Sequence, residues 1–209
     1  PPPCIQVSPG EILFEDLEVA DAASATEVVT ISNTCEGELE ILQMGLKNDE
    51  DGAYTIGAIG SILIPQDGST EFTVTFSPKT AQSYPDKVLI DSNDPETPTA
   101  EVKLRGTGIA PKIEVSDTGY DFGAPFIGCE NGQPLGIKNV GNADLIVDQV
   151  NVNTASGDQF NVDLNEWENG SLPFTISPFS SSNEEVEIFV DYLPLDTIID
   201  EAYVLVNSN

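Results

Sequence analysis

Residues 88–108 read VLIDSNDPETPTAEVKLRGTG, and they carry the clearest fold signal in the chain. Apolar and polar residues alternate on both sides of a central turn, which predicts two strands that each bury one face. Asn93, Asp94 and two prolines, Pro95 and Pro98, make the turn stiff and polar. The motif Gly-Thr-Gly at 106–108 ends the second strand. The stretch therefore predicts a β-hairpin that closes a β domain.

The first arm of this hairpin returns at the end of the chain, where residues 204–209 (VLVNSN) repeat residues 88–93 (VLIDSN). Shorter matches extend the repeat backwards: residues 113–116 match 5–8, 137–139 match 31–33, and 190–194 match 74–78. The second copy carries about ten extra residues within 151–185, and these include the only tryptophan, Trp167.

This repeat divides the 209 residues into two domains, 1–109 and 112–209, each of the usual size for a β-sandwich. Short strands separated by turns, without helical periodicity, predict an all-β fold of two tandem immunoglobulin-like sandwiches. The joint at 109–111 is short and contains a proline, so we expect it to hold the two domains in line.

The second copy stops before the counterpart of residues 100–108, so its last strand is missing from the sequence. A sandwich without that strand exposes an unpaired edge. We expect either that the native chain continues or that a neighbouring chain donates a strand at this C-terminal edge.

The charge balance is extreme, with 36 acidic against 7 basic residues and a net charge of −29. Such a surface repels nucleic acid and anionic membranes, and no apolar run is long enough for membrane insertion. It favours solubility and low-affinity binding of divalent cations, and it suits an extracellular setting.

The chain contains no histidine, which excludes Ser-His-Asp and Cys-His catalysis and histidine-bound zinc. The serine run at 180–182 has no lysine or histidine nearby to activate a nucleophile. We therefore expect no enzymatic activity and no cofactor, with calcium as the one candidate exception.

The three cysteines allow one disulfide and leave one thiol. If the first strand pairs antiparallel with the strand that ends near Asn33, Cys4 and Cys35 lie at the same pole. We predict a disulfide between them, which would contribute about 3 kcal/mol in the chain-entropy model; the alternative is two free thiols in a reducing cytosol. We expect Cys129 to be buried and inert, or else to pair outside the chain.

Two further places could bind a ligand. The loop at 48–52, NDEDG, offers Asn48, Asp49 and Asp51 as candidate calcium ligands, although it lacks the full twelve-residue calcium-loop pattern. Trp167 stands among polar residues and could contact a sugar or a protein partner. The alternatives are a solvated acidic loop and an indole that covers the edge of its own sandwich. Residues 91–96 are acidic as well, but we interpret them as a structural hairpin turn.

Several short motifs are spread over the two copies: Asn-Val-Gly at 139–141 before Leu145 and Val147, Asp-Phe-Gly at 121–123, VTFSP at 74–78, SNDP at 92–95 and GTG at 106–108. They resemble the repeats of the ASPM/SPD-2/Hydin (ASH) family, whose bacterial relatives include choice-of-anchor D proteins. The resemblance implies a fold similar to the major sperm protein and to pilus chaperones, and a scaffold or interaction role without catalytic residues. Cys35 and Glu15 depart from the family, which prefers the glycines seen at Gly141 and Gly123.

We therefore expect a non-enzymatic structural or adhesion module, secreted or on a bacterial cell surface and part of a longer repeat array. Its partner would be a protein or a surface glycan. One alternative is a calcium- or carbohydrate-dependent binding module. Another is a cytoskeletal or ciliary scaffold, as in the eukaryotic branch of the family.

Overall fold

The computed structural model describes residues 1–20, 23–48, 50–116, 119–155, 157–164, 171–178 and 185–209. It divides into a first unit, Pro1–Ile109, and a second unit, Ala110–Asn209. Each unit contains two β-sheets and its own apolar core. The helical elements in the described part of the chain are two short 3₁₀ helices, Glu50–Gly52 and Gly157–Gln159. The prediction of an all-β fold of immunoglobulin-like sandwiches is confirmed. That the joint holds the domains in line stays a prediction.

Short strands with alternating burial build the first unit. They are β1 (Ile5–Ser8), β2 (Glu11–Leu13), β3 (Leu17–Glu18), β4 (Ala25–Asn33), β5 (Leu39–Leu46), β6 (Tyr54–Ile56), β7 (Leu63–Ile64), β8 (Ser69–Phe76), β9 (Ser83–Ser92) and β10 (Thr99–Ile109). One sheet has the order β1-β4-β8-β6, and the other has the order β2-β10-β9-β5-β7, with β3 also pairing with β10.

The hairpin predicted from residues 88–108 is β9 and β10, which pair antiparallel from Asp91 opposite Thr99 to Ser83 opposite Thr107. On its other edge β10 runs parallel to β2 and then to β3, so it is an inner strand. Val102 and Leu104 point inward and are fully buried. Further along β10, a Cβ atom on Gly106 would lie 2.7 Å from the ring of Phe76, so only glycine fits there.

The second unit repeats this plan, with fewer strands among its described residues. They are β11 (Ile113–Val115), β12 (Asn131–Asn139), β13 (Leu145–Thr154), β14 (Phe160–Asp163), β15 (Phe174–Ile176), β16 (Glu185–Tyr192) and β17 (Ala202–Ser208). The sheet β11-β12-β16-β14 corresponds to β1-β4-β8-β6, and the sheet β15-β13-β17 corresponds to β7-β5-β9.

Strand register shows how closely the two units agree. β5 pairs with β9 through a bulge after Ile41, and β13 pairs with β17 through a bulge after Val147. The pairs Leu39–Ile64 and Leu145–Ile176 also correspond. The extra residues of the second unit therefore fall on both sides of β15, once before it and once between it and β16.

Candidate functional site: an open slot in the second unit

A buried asparagine holds one corner of the first unit. The backbone N–H groups of Cys4 and Cys35 each donate to Oδ1 of Asn33, at 3.2 Å. Its Nδ2 atom donates to the carbonyl oxygens of Gly37, at 2.6 Å, and Ile64, at 3.1 Å. One side chain with no solvent exposure thus joins β1, the turn between β4 and β5, and β7. In the same corner Cys4 and Cys35 form a disulfide, with their Cα atoms 5.2 Å apart.

Asn139 makes the same set of bonds in the second unit. The N–H groups of Lys112 and Gly141 donate to its Oδ1 atom at 3.3 and 2.9 Å. Its Nδ2 atom donates to the carbonyl oxygens of Ala143, at 2.8 Å, and Ile176, at 2.9 Å. Lys112 and Gly141 stand where the first unit has its disulfide. A Cβ atom on Gly141 would collide with the backbone at Lys112, which explains the glycine there.

An aromatic cluster lies in the first unit's core where β8 ends at Phe76. The ring of Phe76 lies 5.4 Å from that of Phe14, 5.1 Å from that of Tyr54 and 5.7 Å from that of Tyr84. The Tyr54 hydroxyl donates to the carbonyl oxygen of Tyr84 at 2.7 Å. Burial is the main cause that raises the pKa of Tyr54 above its ordinary value. β10 covers this cluster, because Gly106 lies against Phe76.

The counterpart cluster of the second unit contains Phe122, Phe160 and Tyr192. The rings of Phe160 and Tyr192 stack with centroids 4.6 Å apart, and the Phe122 ring lies 5.3 Å from that of Tyr192. The Tyr192 hydroxyl donates to Oδ2 of Asp200 at 2.7 Å, and the Gln159 amide donates to Oδ1 at 2.9 Å. The hydrogen bond to Asp200, helped by burial, raises the pKa of Tyr192 to about 12. This phenol therefore stays protonated at physiological pH.

No strand among the described residues covers this second cluster as β10 covers the first. Two adjoining cavities, of about 710 and 350 Å³, lie there instead. We call the two cavities together the slot. Residues that line both of them are Gly119, Tyr120, Phe122, Phe160, Ala202 and Tyr203.

Strand β17 forms one wall of the slot and is incompletely covered there. Its inward side chains Val204 and Val206 are only half-buried. Their counterparts on β9, Val88 and Ile90, have no solvent exposure. The only strand that pairs with β17 in the described part of the chain is β13, so the other edge of β17 is open. An apolar wall beside an open strand edge can bind another strand.

Hydrogen bonds link the loop with the candidate calcium ligands to neighbouring residues, through the backbone of Asn48 and the side chain of Asp51. Asp86 Oδ1 accepts the N–H of Asn48 at 3.1 Å, and Asp51 Oδ2 accepts the Gln82 amide at 2.9 Å. Asp49 lies outside the described residues. Among the residues that are described, no group of three or more acidic or cysteine side chains is placed to hold a metal ion. Calcium binding at this loop stays a prediction.

Asp94 anchors the turn between β9 and β10. Its carboxylate is buried and accepts N–H groups from Ile5 at 2.9 Å, Glu96 at 2.9 Å and Thr97 at 3.2 Å. Burial by itself raises the pKa of Asp94, but these three hydrogen bonds outweigh it and leave the pKa below its ordinary value. The turn is therefore a structural element, and the hydrogen bond from Ile5 connects it to β1.

Two other residues singled out from the sequence have different outcomes. Trp167 lies outside the described residues, so its proposed contact with a partner stays a prediction. The expectation that Cys129 is buried is wrong, because its side chain is exposed. The reason is local, because Cys129 lies at the end of a turn. Its backbone N–H closes this turn by donating to the carbonyl oxygen of Phe126, at 2.9 Å.

Sequence reasoning missed the slot and its aromatic floor. The repeat itself contains a signal, since Phe160 and Tyr192 align with Tyr54 and Phe76 once the extra residues are placed around β15. That alignment requires the strand register, which the sequence does not show.

The chain was compared with known proteins, and no protein-family model matches it. It is 27% identical over 146 residues to the Hydrocephalus-inducing protein of Mus musculus, which covers 70% of this chain and 3% of that protein. The chain thus spans a very small part of the curated relative that it matches. This match agrees with an ASH-like domain, whereas the choice-of-anchor D type stays a prediction.

Solved structures with some likeness have low identity. The ASH/PapD-like domain of human CEP192 (PapD-like domain 7) is 16% identical, with 50% of this chain and 84% of that chain covered and a TM-score of 0.39. A protein of unknown function from Porphyromonas gingivalis W83 is 14% identical, with 90% and 82% covered and a TM-score of 0.35. The periplasmic chaperone SfaE is 12% identical, with 88% and 87% covered and a TM-score of 0.33.

In the part of the chain that is described, no helix has the length and hydropathy required to cross a membrane.

Proposed function

We propose that this chain is a non-enzymatic structural and adhesion module of the cell exterior whose second unit binds proteins. The observation that carries the proposal is the disulfide between Cys4 and Cys35, because disulfides persist in oxidising compartments and are rare in the cytosol. The net charge of −29 supports it, since it keeps an exposed surface soluble and self-repelling. A bacterial cell surface is the location that the choice-of-anchor D resemblance implies.

Exposed apolar side chains on the second unit support a binding role. Ile198 is 71% exposed, Ile199 is 89% exposed and Tyr203 is 69% exposed, and all three line the slot. Phe126, in the same unit, is 86% exposed. Large apolar patches with polar surroundings usually mark interaction sites on soluble proteins.

The repeated plan supports membership in a longer array. Both units use the same corner asparagine, the same bulged strand pair and the same aromatic cluster. The mouse relative is far longer than the matched segment. Repeats of this kind space and display binding surfaces in tandem.

The proposal is tested by labelling intact cells of the source organism with an antibody against the first unit, before and after permeabilisation. Non-reducing peptide mapping of the protein recovered from those cells completes the test. We expect labelling of unpermeabilised cells and a linked peptide that contains Cys4 and Cys35. Labelling only after permeabilisation, together with two free thiols, would overturn the extracellular assignment.

A cytoskeletal or ciliary scaffold is the second candidate. The similarity to the mouse Hydrocephalus-inducing protein favours it, because the eukaryotic branch of the ASH family serves such roles. Free thiols at Cys4 and Cys35 in the natively produced protein are the result that this candidate requires.

A calcium- or carbohydrate-dependent binding module is a third candidate, supported by Asn48 and Asp51 lining one surface cavity and by the polar sequence around Trp167. Calorimetry with calcium and a glycan array test it, and the absence of binding in both would reject it.

A further inference from the structure

The outer face of the sheet β2-β10-β9-β5-β7 in the first unit collects most of the chain's basic residues. The sequence has 7 Lys and Arg residues in total. Lys47 directly follows β5, Lys87 lies on β9, and Lys103 and Arg105 lie on β10. This concentration of cations contrasts with the net charge of −29 on the whole chain. It therefore marks a surface with a chemistry of its own.

Strand register places three of these side chains in one row. Lys103 lies opposite Lys87 on the β9–β10 pair. The backbone N–H of Lys47 donates to the carbonyl oxygen of Lys87 at 2.8 Å, which continues the register of Leu46 opposite Val88. We call Lys47, Lys87 and Lys103 the lysine row. Neighbouring strands lie about 4.8 Å apart, so the row spans roughly 10 Å. Like charges in opposite positions are unfavourable, so the row itself does not stabilise the sheet.

The second unit has neutral side chains at two of the corresponding positions. Register places Asn153 where the first unit has Lys47, and Tyr203 where it has Lys87. The plan that the two units share therefore does not require lysines there. This difference favours a role that belongs to the first unit alone.

The two end lysines of the row have their charge available for a ligand. Lys47 and Lys103 are exposed, and neither takes part in an ion pair among the residues that the structure describes. Glu11 of β2 lies opposite Lys103, but its Oε1 atom pairs with Nε of Arg105 at 3.0 Å.

Glu101 shows what the lysine row does to a carboxylate. Nζ of Lys87 lies 2.6 Å from Oε2 of Glu101. This hydrogen bond is the main cause that lowers the pKa of Glu101, and the charges of Lys87, Lys47 and Lys103 lower it further. The row thus favours a charged carboxylate beside it, and an external carboxylate at either end would meet the same positive field.

A cavity of about 560 Å³ adjoins the row at Arg105. Arg105 lies opposite Leu13, which is 76% exposed, and both residues line the cavity together with Pro85. The cavity therefore offers apolar surface beside the cations. Glu15 and Asp16 also line it, so the carboxylates of a ligand are directed to the row and not into the cavity.

We propose that this face binds an acidic segment of a partner protein, with its carboxylates on Lys47 and Lys103 and an adjoining apolar side chain in the cavity. A polypeptide can present acidic and apolar side chains together, whereas a uniformly charged polymer such as nucleic acid is repelled by the chain's overall charge. At physiological ionic strength charges beyond about 8 Å are largely screened, so the nearby lysines dominate. This inference goes beyond the proposed function, because it assigns a ligand class to the first unit.

The probe is a short fluorescent peptide in which glutamate alternates with serine and a leucine stands at one end. It is titrated into the 209-residue chain by fluorescence anisotropy, and a carbodiimide then couples bound carboxylates to neighbouring lysines for mass spectrometry. We expect saturable binding that weakens above physiological salt, with cross-links at Lys47 or Lys103. The absence of binding, or cross-links spread over all lysines of the chain, would overturn the inference.

Two matched protein variants separate the lysine row from the general charge. The variant with Lys47→Gln and Lys103→Gln should bind the peptide about fivefold more weakly. The variant with Lys79→Gln and Lys112→Gln changes the net charge equally, outside the row, and should bind like the wild type. All four side chains are exposed, so we expect both variants to fold. Equal losses in the two variants would contradict a site at the row.

Peptide variants test the ligand class. Replacing every glutamate by glutamine should abolish measurable binding, and replacing the leucine by serine should weaken it about threefold. A sulfated polysaccharide that binds more tightly than the peptide, with the same dependence on Lys47 and Lys103, would overturn the choice of a polypeptide. Surface labelling of cells is independent of all these measurements, so this inference and the proposed function can fail separately.

Discussion

At the scale of single residues, Asn33 and Asn139 show why the two units share a fold despite few identical positions. Each amide satisfies two N–H groups and two carbonyl groups that lie at different points of the chain. Leaving a buried polar group without such partners costs more free energy than the hydrogen bonds themselves contribute to stability. The corner therefore tolerates changes around the asparagine more easily than a change of the asparagine.

Replacing Asn139 by alanine should destabilise the second unit by roughly 2–4 kcal/mol, because four buried or partly buried backbone groups lose their partner. Urea unfolding followed by hydrogen exchange of second-unit peptides measures the change. Asn207→Ala is the control: the Asn207 amide donates to Oε1 of Gln149 at an exposed site, so we expect less than about 0.5 kcal/mol. Equal losses for the two variants would contradict the role of the buried corner.

Asp94 makes the stability of the first unit depend on pH in the acidic range. Its pKa lies below the ordinary value of 3.8 in the folded protein, so folding favours the charged carboxylate. The resulting stability is fully present above that ordinary pKa and is lost as the pH falls through the lowered folded value. Asp94→Asn should lower stability at neutral pH by about 1–3 kcal/mol, since one accepting oxygen becomes a donor facing backbone N–H groups.

The measurement is urea unfolding of the first unit at a series of pH values from neutral to strongly acidic. Wild-type protein should lose stability at the acidic end, and the Asp94→Asn variant should show a flatter dependence there. Glu96→Gln, an exposed position in the same turn, should keep the wild-type slope. The Asp94 assignment would be wrong if both variants kept it.

At the scale of elements, the contrast between β9 and β17 separates a closed sheet from an open one. The two strands have the same register with their inner neighbour, but β9 also pairs with β10. Amide groups on the open edge of β17 have no strand partner among the described residues. Amides without stable hydrogen bonds exchange readily.

We therefore expect amides in residues 204–206 to exchange faster than those in residues 88–90, by more than about tenfold. Hydrogen–deuterium exchange of the 209-residue chain measures both segments in one sample. The flanking strand β13, which is paired on both sides, provides an internal reference. Similar rates in the two segments would show that the edge of β17 is covered.

The sequence predicts elements best where the signal is local. The alternation around residues 88–108 and its proline-rich turn predict β9 and β10, and the antiparallel first strands place Cys4 beside Cys35. The parallel pairing of β2 and β3 with β10 gives no comparable pattern in the sequence, because these strands have only three and two residues. The slot depends on that pairing, so it becomes visible only when the register of both units is known.

At the scale of the whole molecule, the two units have separate cores, so damage to one should leave the other intact. The variant with Cys4→Ala and Cys35→Ala should lose about 3 kcal/mol in the first unit, from the entropy of the released chain. Hydrogen exchange in urea, read separately from peptides of each unit, measures this. A comparable loss in the second unit would contradict the separation of the cores.

The organisation of the whole chain follows from its internal repeat, whereas its partners do not. The resemblance of residues 139–147 to ASH repeats predicts the sandwich, because those residues build the corner and the adjoining strand. Charge and the absence of histidine limit the chemistry of a partner. Which partner binds depends on surface shape, and that shape depends on strand pairing that the sequence does not show.

The disulfide has a mechanical consequence for the first unit under tension. Cys4 and Cys35 are 31 residues apart, and a pull on the N-terminus passes through their sulfur atoms instead of through the chain between them. At about 3.5 Å per extended residue, roughly 100 Å of polypeptide cannot be drawn out. If tension unravels both units, the first would lengthen somewhat less than the second, because the bridged segment stays closed.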